Sequence, residues 1–353
     1  MVRIRQHIAL LLLLFAGCSP PEPGAVQFVS ERLPYPRLSD YGFFSGELPE
    51  LQPREGVVPY DLINTLFTDY ADKARFLWMP ATAQASIGPD GRIDFPDSTV
   101  LIKNFFYPHD FRAPEGGRDL VETRLLVRIA GQWKAYVYLW NDTDTEAFLK
   151  PTGAFVEVKW IDETGTTRGT DYLVPNQNQC KSCHDRNDRL EPLGPKVENL
   201  LREQNYPDGR RRSQLSYWKE AGILPPAADW SGFSPRPRWN DPGSGSLGER
   251  ALSYLDLNCG HCHRPEGPAH TTGLYLTSGG QTGLCKTPIA AGRGSGGRYY
   301  SIVPGSPDAS ILLYRMESDE PGVMMPEIGR TVAHREGIEL IREWIAAMPG
   351  SCP

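Results

Sequence analysis

The chain has 353 residues, with 43 acidic against 37 basic side chains and a formal net charge of −6 at pH 7. This acidic balance disfavours nucleic acid as a partner, because phosphate backbones attract proteins with excess positive charge. No apolar run approaches the roughly 18 residues that a membrane-spanning helix needs. The length exceeds what one compact core usually organises, so we expect two or three modules.

The amino terminus has the form of a secretory signal, residues 1–17, in which Arg3 and Arg5 precede a short apolar run. The run LFAGC ends at Cys18 and resembles a bacterial lipobox, so we expect cleavage before Cys18 and lipidation of its sulfur. Lipoproteins of this kind carry several acyl chains, and two or more hold a protein firmly at a membrane surface. We therefore expect a lipid anchor on the periplasmic side of the cell envelope, with the outer membrane favoured. The alternative is nearby cleavage that leaves Cys18 an ordinary thiol.

Residues 18–51 are rich in proline and short polar residues, which predicts a tether. Residues 52–175 alternate apolar runs with turn clusters and predict a β-rich module of antiparallel hairpins. The predicted strands lie in STVLIKNFFY, ETRLLVRIA, GQWKAYVYLW, AFVEVKWI and TDYLVP.

The pattern changes near residue 176, where apolar residues begin to recur at helical spacing. We predict a first mostly α-helical module over residues 176–224, a Pro, Gly and Ser-rich linker over 225–246 and a second helical domain over 247–353. Ser246 and Glu249 form a capping box that opens a helix leading into Cys259. The predicted fold class is multidomain α+β, a β-rich antiparallel N-terminal module followed by mostly α-helical modules.

The second half contains two CxxCH motifs, CKSCH at 180–184 and CGHCH at 259–263. CxxCH is the attachment signature of c-type haem. Cys180 and Cys183, like Cys259 and Cys262, have the spacing that forms thioethers with the two vinyl groups of one porphyrin. The adjoining His184 and His263 then bind the iron. We expect two covalently bound haem c groups.

Two other interpretations of the cysteine pairs are a thioredoxin-like redox pair and a structural zinc site. A thioredoxin-like redox pair should lie between a strand and a helix of a βαβ unit, which the predicted helical context does not provide. A structural zinc site would need the pairs to converge across 75 intervening residues, where zinc ribbons use roughly 15 to 20. Neither reading explains a histidine directly after both pairs.

The run GVMMPEIGR offers a second axial ligand for the second haem. Met325 follows His263 within a Gly and Pro-rich loop, before the predicted helix HREGIELIREWIAAM. This is the layout of a small monohaem cytochrome c domain, and methionine raises the reduction potential relative to a second histidine. We predict Met325 as the ligand, with Met324 as the alternative. A lone methionine is otherwise more often core filling.

The first haem lacks such a partner nearby, because no methionine or histidine occurs between His184 and Cys259. Its distal ligand comes from elsewhere, is a less common donor such as Lys196, or is absent. The candidates in the β-rich module are His109 and Met79. His270 and His334 of the second haem module are further candidates, and His261 is disfavoured because it lies inside its own haem motif.

Cys285 and Cys352 remain after one lipid and four haem cysteines are assigned. An exported protein is expected to pair them in a disulfide. The alternative is two free buried thiols.

Over nearly its whole length the chain resembles a family of bacterial dihaem c-type cytochromes in which a β-rich region precedes two haem motifs. The matching runs are STVLIKNFFYP, ETRLLVR, WKAYVYLWN, NQCKSCH, LGPK, CGHCHRPEGPAHTTGL, VPGSPDASILLYRM, MMPEIGR and IREWI. The resemblance implies haem binding and electron transfer, and supplies no catalytic residues. Glu327 stands where such loops commonly have a second proline.

The leading functional prediction is electron transfer at the cell envelope with redox proteins as partners and no small-molecule substrate. One alternative is a dihaem enzyme resembling bacterial cytochrome c peroxidases, in which one haem has an open face. Another is an envelope-binding β module with accessory haems. No nucleophile and base pair can be placed in the sequence, which favours a carrier over a catalyst.

Overall fold

The computed structural model describes residues 26–279, 283–288 and 293–353. The predicted signal segment, residues 1–17, and the predicted lipidation site Cys18 lie outside the described residues. Within the described ranges, no helix is both long enough and apolar enough to cross a bilayer.

A six-stranded antiparallel sheet forms the centre of the fold, and its strands neighbour one another in sequence order. The strands are β1 Val57–Tyr60, β2 Asp72–Trp78, β3 Val100–Pro108, β4 Arg118–Ile129, β5 Gln132–Trp140 and β6 Ala147–Leu149. A hairpin of β7 (Ala154–Ile161) and β8 (Thr167–Val174) follows, and the Oδ1 atom of Asp162 accepts two backbone N–H groups in its turn. The predicted antiparallel strands are confirmed.

One face of the sheet is covered by the segment that precedes it. Tyr41 and Phe43 are almost completely buried against the sheet, and the Tyr41 hydroxyl lies 2.8 Å from that of Tyr138. Burying aromatic side chains of this size contributes much of the core energy of a small fold. The segment expected to serve as a tether through residue 51 therefore forms part of the core from Val26 onward.

The other face of the sheet presents two rows of residues that are paired across neighbouring strands. One row is polar: Tyr60, Arg75, Lys103 and Arg124. The next row is apolar: Leu77, Leu101, Leu126 and Ala135. Because side chains alternate along a strand, both rows point away from the core face and toward the second half of the chain.

The second half of the chain is not mostly helical, so the predicted α-helical haem modules are wrong. The described helices are short: α1 Gln177–His184, α2 Val197–Leu200, α3 Gln214–Glu220, α4 Leu247–Asn258, α5 Ile311–Glu317 and α6 Arg335–Ala346. Loops rich in glycine and proline separate them, and these residues interrupt helices. The fold as a whole is β-rich, with short helices laid against one sheet.

Short ribbons and turns complete the described structure. Two-stranded ribbons pair Phe44–Ser45 with Gln52–Pro53, Ser86–Ile87 with Ile93–Asp94, Asp185–Arg186 with Arg189–Leu190, and Glu203–Asn205 with Arg211–Ser213. Turns of 3₁₀ helix occupy Ser30–Arg32, Leu38–Tyr41, Leu48–Glu50, Pro114–Gly116, Pro242–Ser244, His270–Thr272, Arg293–Ser295 and Pro307–Ala309.

The two halves of the chain share hydrophobic cores. Trp218 of α3 is fully buried in a cluster with Tyr60, Leu77 and Leu101 of the sheet. Cys180 of α1 lies in a second cluster with residues of β3, β5, β7 and β8. The first CxxCH motif therefore rests on the sheet itself.

A buried carboxylate ties the β1–β2 connection to the C-terminal loop. Asp69 is 1% exposed and accepts the backbone N–H groups of Thr331 at 2.6 Å and Val332 at 2.9 Å. Burial raises the pKa of Asp69, while these hydrogen bonds oppose the rise. The contact fixes the C-terminal loop at Thr331 and Val332 against the β1–β2 connection of the sheet.

Candidate functional site

The first CxxCH motif lies at the end of helix α1. Asn176 and Gln179 form a reciprocal capping box that starts this helix. The Nδ1 atom of His184 is 2.7 Å from the carbonyl oxygen of Glu191, so Nδ1–H donates there and Nε2 keeps its lone pair. Burial lowers the pKa of His184 to about 3, which keeps the ring neutral and able to bind a metal.

The second motif follows helix α4, whose predicted capping box between Ser246 and Glu249 is confirmed. Cys259 ends the helix, and Cys262 and His263 occupy the next turn. The Nδ1 atom of His263 is 3.3 Å from the carbonyl oxygen of Leu274, and burial lowers its pKa. Both motif histidines thus hold a backbone carbonyl at Nδ1, the arrangement that orients metal-binding histidines.

The four motif cysteines are unpaired thiols. Burial raises the pKa of Cys180 to about 11 and the pKa of Cys259 and Cys262 to about 12, and it also raises the pKa of Cys183. These thiols are therefore protonated and weakly nucleophilic near neutral pH, unlike the activated cysteine of a thioredoxin-like pair.

The two motifs adjoin one another, although 74 residues of chain separate His184 from Cys259. The sulfur of Cys262 lies 3.8 Å from the carbonyl oxygen of Ser182, inside the first motif. The guanidinium of Arg264 donates to the carbonyl oxygen of Asp185 at 3.3 Å. Two distant segments of the sequence thus become one structural unit.

One cavity lies between the sheet and both motifs, and we call it the central cavity. The sheet lines it with Tyr60, Arg75, Leu101, Lys103, Arg124, Leu126 and Ala135; the first motif with Cys180, Cys183 and His184; and the second half with Cys259, His261, Met316, Met325, Arg330, His334 and Ile338, among others. Cys262 and His263 lie next to this wall rather than in it.

The structure separates the two adjacent methionines. Met325 lines the central cavity and Met324 does not. Arg315 and Glu327 both influence the pKa of His263, and Glu327 also influences that of Cys262, which places the methionine loop beside the second motif. Met325, and not Met324, therefore shares the central cavity with Cys259 of the second motif.

Neither β-module candidate for the first haem lines the central cavity. His109 lies just beyond the end of β3, is 54% exposed and is 2.9 Å from Asp119. Met79 lies just beyond β2, buried in the cluster around Trp218. Lys196, at the start of α2, lines a neighbouring cleft. The structure does not bring these residues to His184.

Two other histidines do line the cavity. His261 is 7% exposed, its Nδ1 is 3.1 Å from the Leu257 carbonyl oxygen, and burial lowers its pKa to about 4. His334 stacks on Phe67, with ring centroids 4.1 Å apart, and its Nδ1 lies 2.9 Å from the Tyr254 hydroxyl. Burial lowers the pKa of His334 to about 3. His270 is exposed at the surface.

A row of cations on the sheet that lines the central cavity was not predicted from the sequence. Lys103 pairs across the sheet with Arg75 on one side and Arg124 on the other. The alternation of side chains along a strand could have located it. Lys103 lies two positions from both Leu101 and Phe105 in STVLIKNFFY, so the three side chains share one face of the sheet. A charged residue in an otherwise buried strand is an informative exception.

The residues present fit two haem groups. Each motif supplies two free thiols three residues apart and a histidine whose Nδ1 is occupied by a carbonyl, which leaves Nε2 for iron. In the described residues, no cluster of three or more His, Cys, Asp or Glu side chains is arranged to hold a bare metal ion.

Cys285 and Cys352 form a disulfide, with their Cα atoms 5.2 Å apart. It fastens the C-terminal end of the chain to the segment after the second motif, away from the central cavity.

Comparisons with protein-family models, with curated proteins and with solved structures find no match to this chain.

Proposed function

We propose that the chain is a dihaem c-type cytochrome that transfers electrons at the bacterial cell envelope. The observation that carries the proposal is the contact between the two CxxCH motifs, in which the sulfur of Cys262 lies 3.8 Å from the carbonyl oxygen of Ser182, beside a cavity that Cys180 and Cys259 both line. Covalent attachment at both motifs would fix two redox groups next to each other, as a relay requires.

Each residue has a defined part in this proposal. Cys180, Cys183, Cys259 and Cys262 would hold the two haems, which supply one-electron chemistry when bound. His184 and His263 would bind iron through Nε2, because the carbonyls of Glu191 and Leu274 engage Nδ1. Met325 would complete the second site. Apolar side chains such as Leu126 and Ile338 line the same cavity and would limit the access of water to the haems.

The cavity also supports unequal potentials at the two sites. Methionine ligation raises the potential of a haem relative to a nitrogen donor. With Met325 as a ligand of the second haem, that haem is the expected electron acceptor within the molecule. Electrons would then move from the first haem to the second and on to a partner protein.

A redox titration of the purified holoprotein, followed by visible and EPR spectroscopy, tests this function. We expect two one-electron steps, two low-spin ferric haems and exchange of electrons without consumption of peroxide. A single step, or catalytic turnover of peroxide at a high-spin haem, would contradict electron relay as the function.

The cytochrome c peroxidase-like alternative has one observation in its favour. Neither His109 nor Met79 lines the cavity beside the first motif, so that haem would have an open face unless another donor serves. A ferric spectrum that shifts on addition of cyanide would support the enzyme, and one that does not respond would support the relay.

A further inference from the structure

The first haem site lacks an assigned sixth ligand, and the cavity floor offers a donor. Lys103 lies on β3, the strand between β2 and β4 in the sheet, and lines the central cavity together with Cys180, Cys183 and His184. Lys103 comes from the sheet and His184 from α1, and both line the cavity beside Cys180 and Cys183, so both would be available to an iron held there.

The charges around Lys103 are arranged unusually. Like charges directly opposite one another on neighbouring strands destabilise a sheet, yet Arg75, Lys103 and Arg124 stand in one register. Arg75 is paired with Asp61 at 2.8 Å, and the Nε atom of Arg124 donates to Glu122 at 2.9 Å. Both flanking guanidiniums therefore have a carboxylate of their own.

Lys103 has no such partner. Among the described residues no carboxylate forms an ion pair with its amine, whose neighbour is the ring of Phe105, 4.6 Å from Nζ to the centroid. Lys103 is partly buried between these two guanidiniums, and Glu122, the carboxylate that favours its charged form, is already paired with Arg124, so an ammonium is costly there. A neutral amine bound to a metal avoids that cost.

We propose that Lys103 is the sixth ligand of the iron in the first haem. The inference rests on the proposed function, because it requires haem at Cys180 and Cys183. The amine coordinates as the free base: its nitrogen lone pair forms the bond to iron, and its proton leaves to solvent. Burial and the cations Arg75, Lys73 and Arg124 lower the pKa of Lys103 well below its usual value, which agrees with a neutral amine.

His261 is the rival donor on the first motif's side of the cavity. It also lines the central cavity, and its Nε2 is available because Nδ1 faces the Leu257 carbonyl oxygen. However, it lies between Cys259 and Cys262, which both attach the second haem, and this restricts its reach toward the first.

The test uses the full-length holoprotein and four variants: Lys103→Ala, Lys103→Arg, His261→Ala and the control Lys73→Ala. Lys73 lies on the same sheet face in β2, but its amine donates to the Ala71 carbonyl oxygen, and it does not line the cavity. Haem content is measured by pyridine haemochrome, and the spin state of each haem by low-temperature EPR of the ferric protein.

We expect Lys103→Ala to keep two haems and to convert one of them from low-spin to high-spin, while the methionine-ligated haem is unchanged. Lys103→Arg should give the same result, since a guanidinium keeps the charge but does not bind iron. Methylamine added to Lys103→Ala should restore the low-spin signal. Lys73→Ala and His261→Ala should resemble the wild type.

Five results would overturn the inference. Two low-spin haems in Lys103→Ala would show that Lys103 is not the ligand, and a low-spin first haem in Lys103→Arg would show that the charge of Lys103 matters rather than its amine, for instance toward a haem propionate. Conversion by His261→Ala instead would assign the ligand to His261. A high-spin haem already present in the wild type would show an open site. A haem count below two would overturn the proposed function, and this inference with it.

Discussion

The adjacent residues Met324 and Met325 give the sharpest prediction at the scale of single side chains. Met325 lines the central cavity, whereas Met324 does not. Met325→Ala should abolish the near-infrared sulfur-to-iron charge-transfer band and lower the potential of one haem, because the sulfur ligand is lost. Met324→Ala is the matched control and should keep both. Loss of the band in Met324→Ala alone would reassign the ligand.

His334 makes stability depend on pH. Its folded pKa of about 3 lies below the ordinary value of 6.5, so between these values the unfolded chain binds a proton that the folded protein does not. The stability that the neutral His334 ring contributes is fully present above about pH 6.5 and is lost as the pH falls toward about 3. His334→Gln should therefore reduce the loss of stability between about pH 7 and about pH 5.

Urea unfolding of the holoprotein at the two pH values measures this effect. His270→Gln serves as the control, because His270 lies exposed at the surface. The same pH dependence in His334→Gln as in the wild type would show that the aromatic pocket around His334 does not hold a neutral ring.

At the scale of elements, helix α6 packs against Tyr254 of helix α4 at Gly337. A β-carbon at this position would overlap the hydroxyl of Tyr254, which itself contacts His334. Gly337→Ala should destabilise the protein by about 1–3 kcal/mol, because overpacking forces the helices apart.

The control for this contact is Gly248→Ala in helix α4. A β-carbon there would lie 3.7 Å from the nearest side-chain atom, in Trp344, an ordinary contact. Since alanine favours helix over glycine by about 0.5–1 kcal/mol, this variant should be neutral or slightly more stable in urea unfolding. Equal stability of the two variants would contradict the close packing at Gly337.

The sequence predicted individual elements well where their pattern was long. Alternation located β3, β4 and β5, and the helical spacing of Ile341 and Ile345 located α6, in which both are fully buried. It overestimated helix after residue 176, because short apolar repeats there belong to loops and one-turn helices packed on the sheet. Tertiary contacts with the sheet determine this structure, and local periodicity does not encode them.

For the whole molecule, the candidate site was predictable in its parts and not in its assembly. CxxCH names the thiols and the histidines from local spacing alone. Their meeting at one cavity depends on contacts such as Cys262 with Ser182 and Asp69 with Thr331, which join residues 80 and 262 positions apart. The place of Lys103 likewise depends on the register of three strands.

The proposal that this single fold carries two covalently bound haems is tested most directly by the intact mass of the purified holoprotein. Wild type should carry two haem masses, and the double variants Cys180→Ala with Cys183→Ala and Cys259→Ala with Cys262→Ala should each carry one. A wild-type mass with one haem or none, or with zinc in place of haem, would contradict the account.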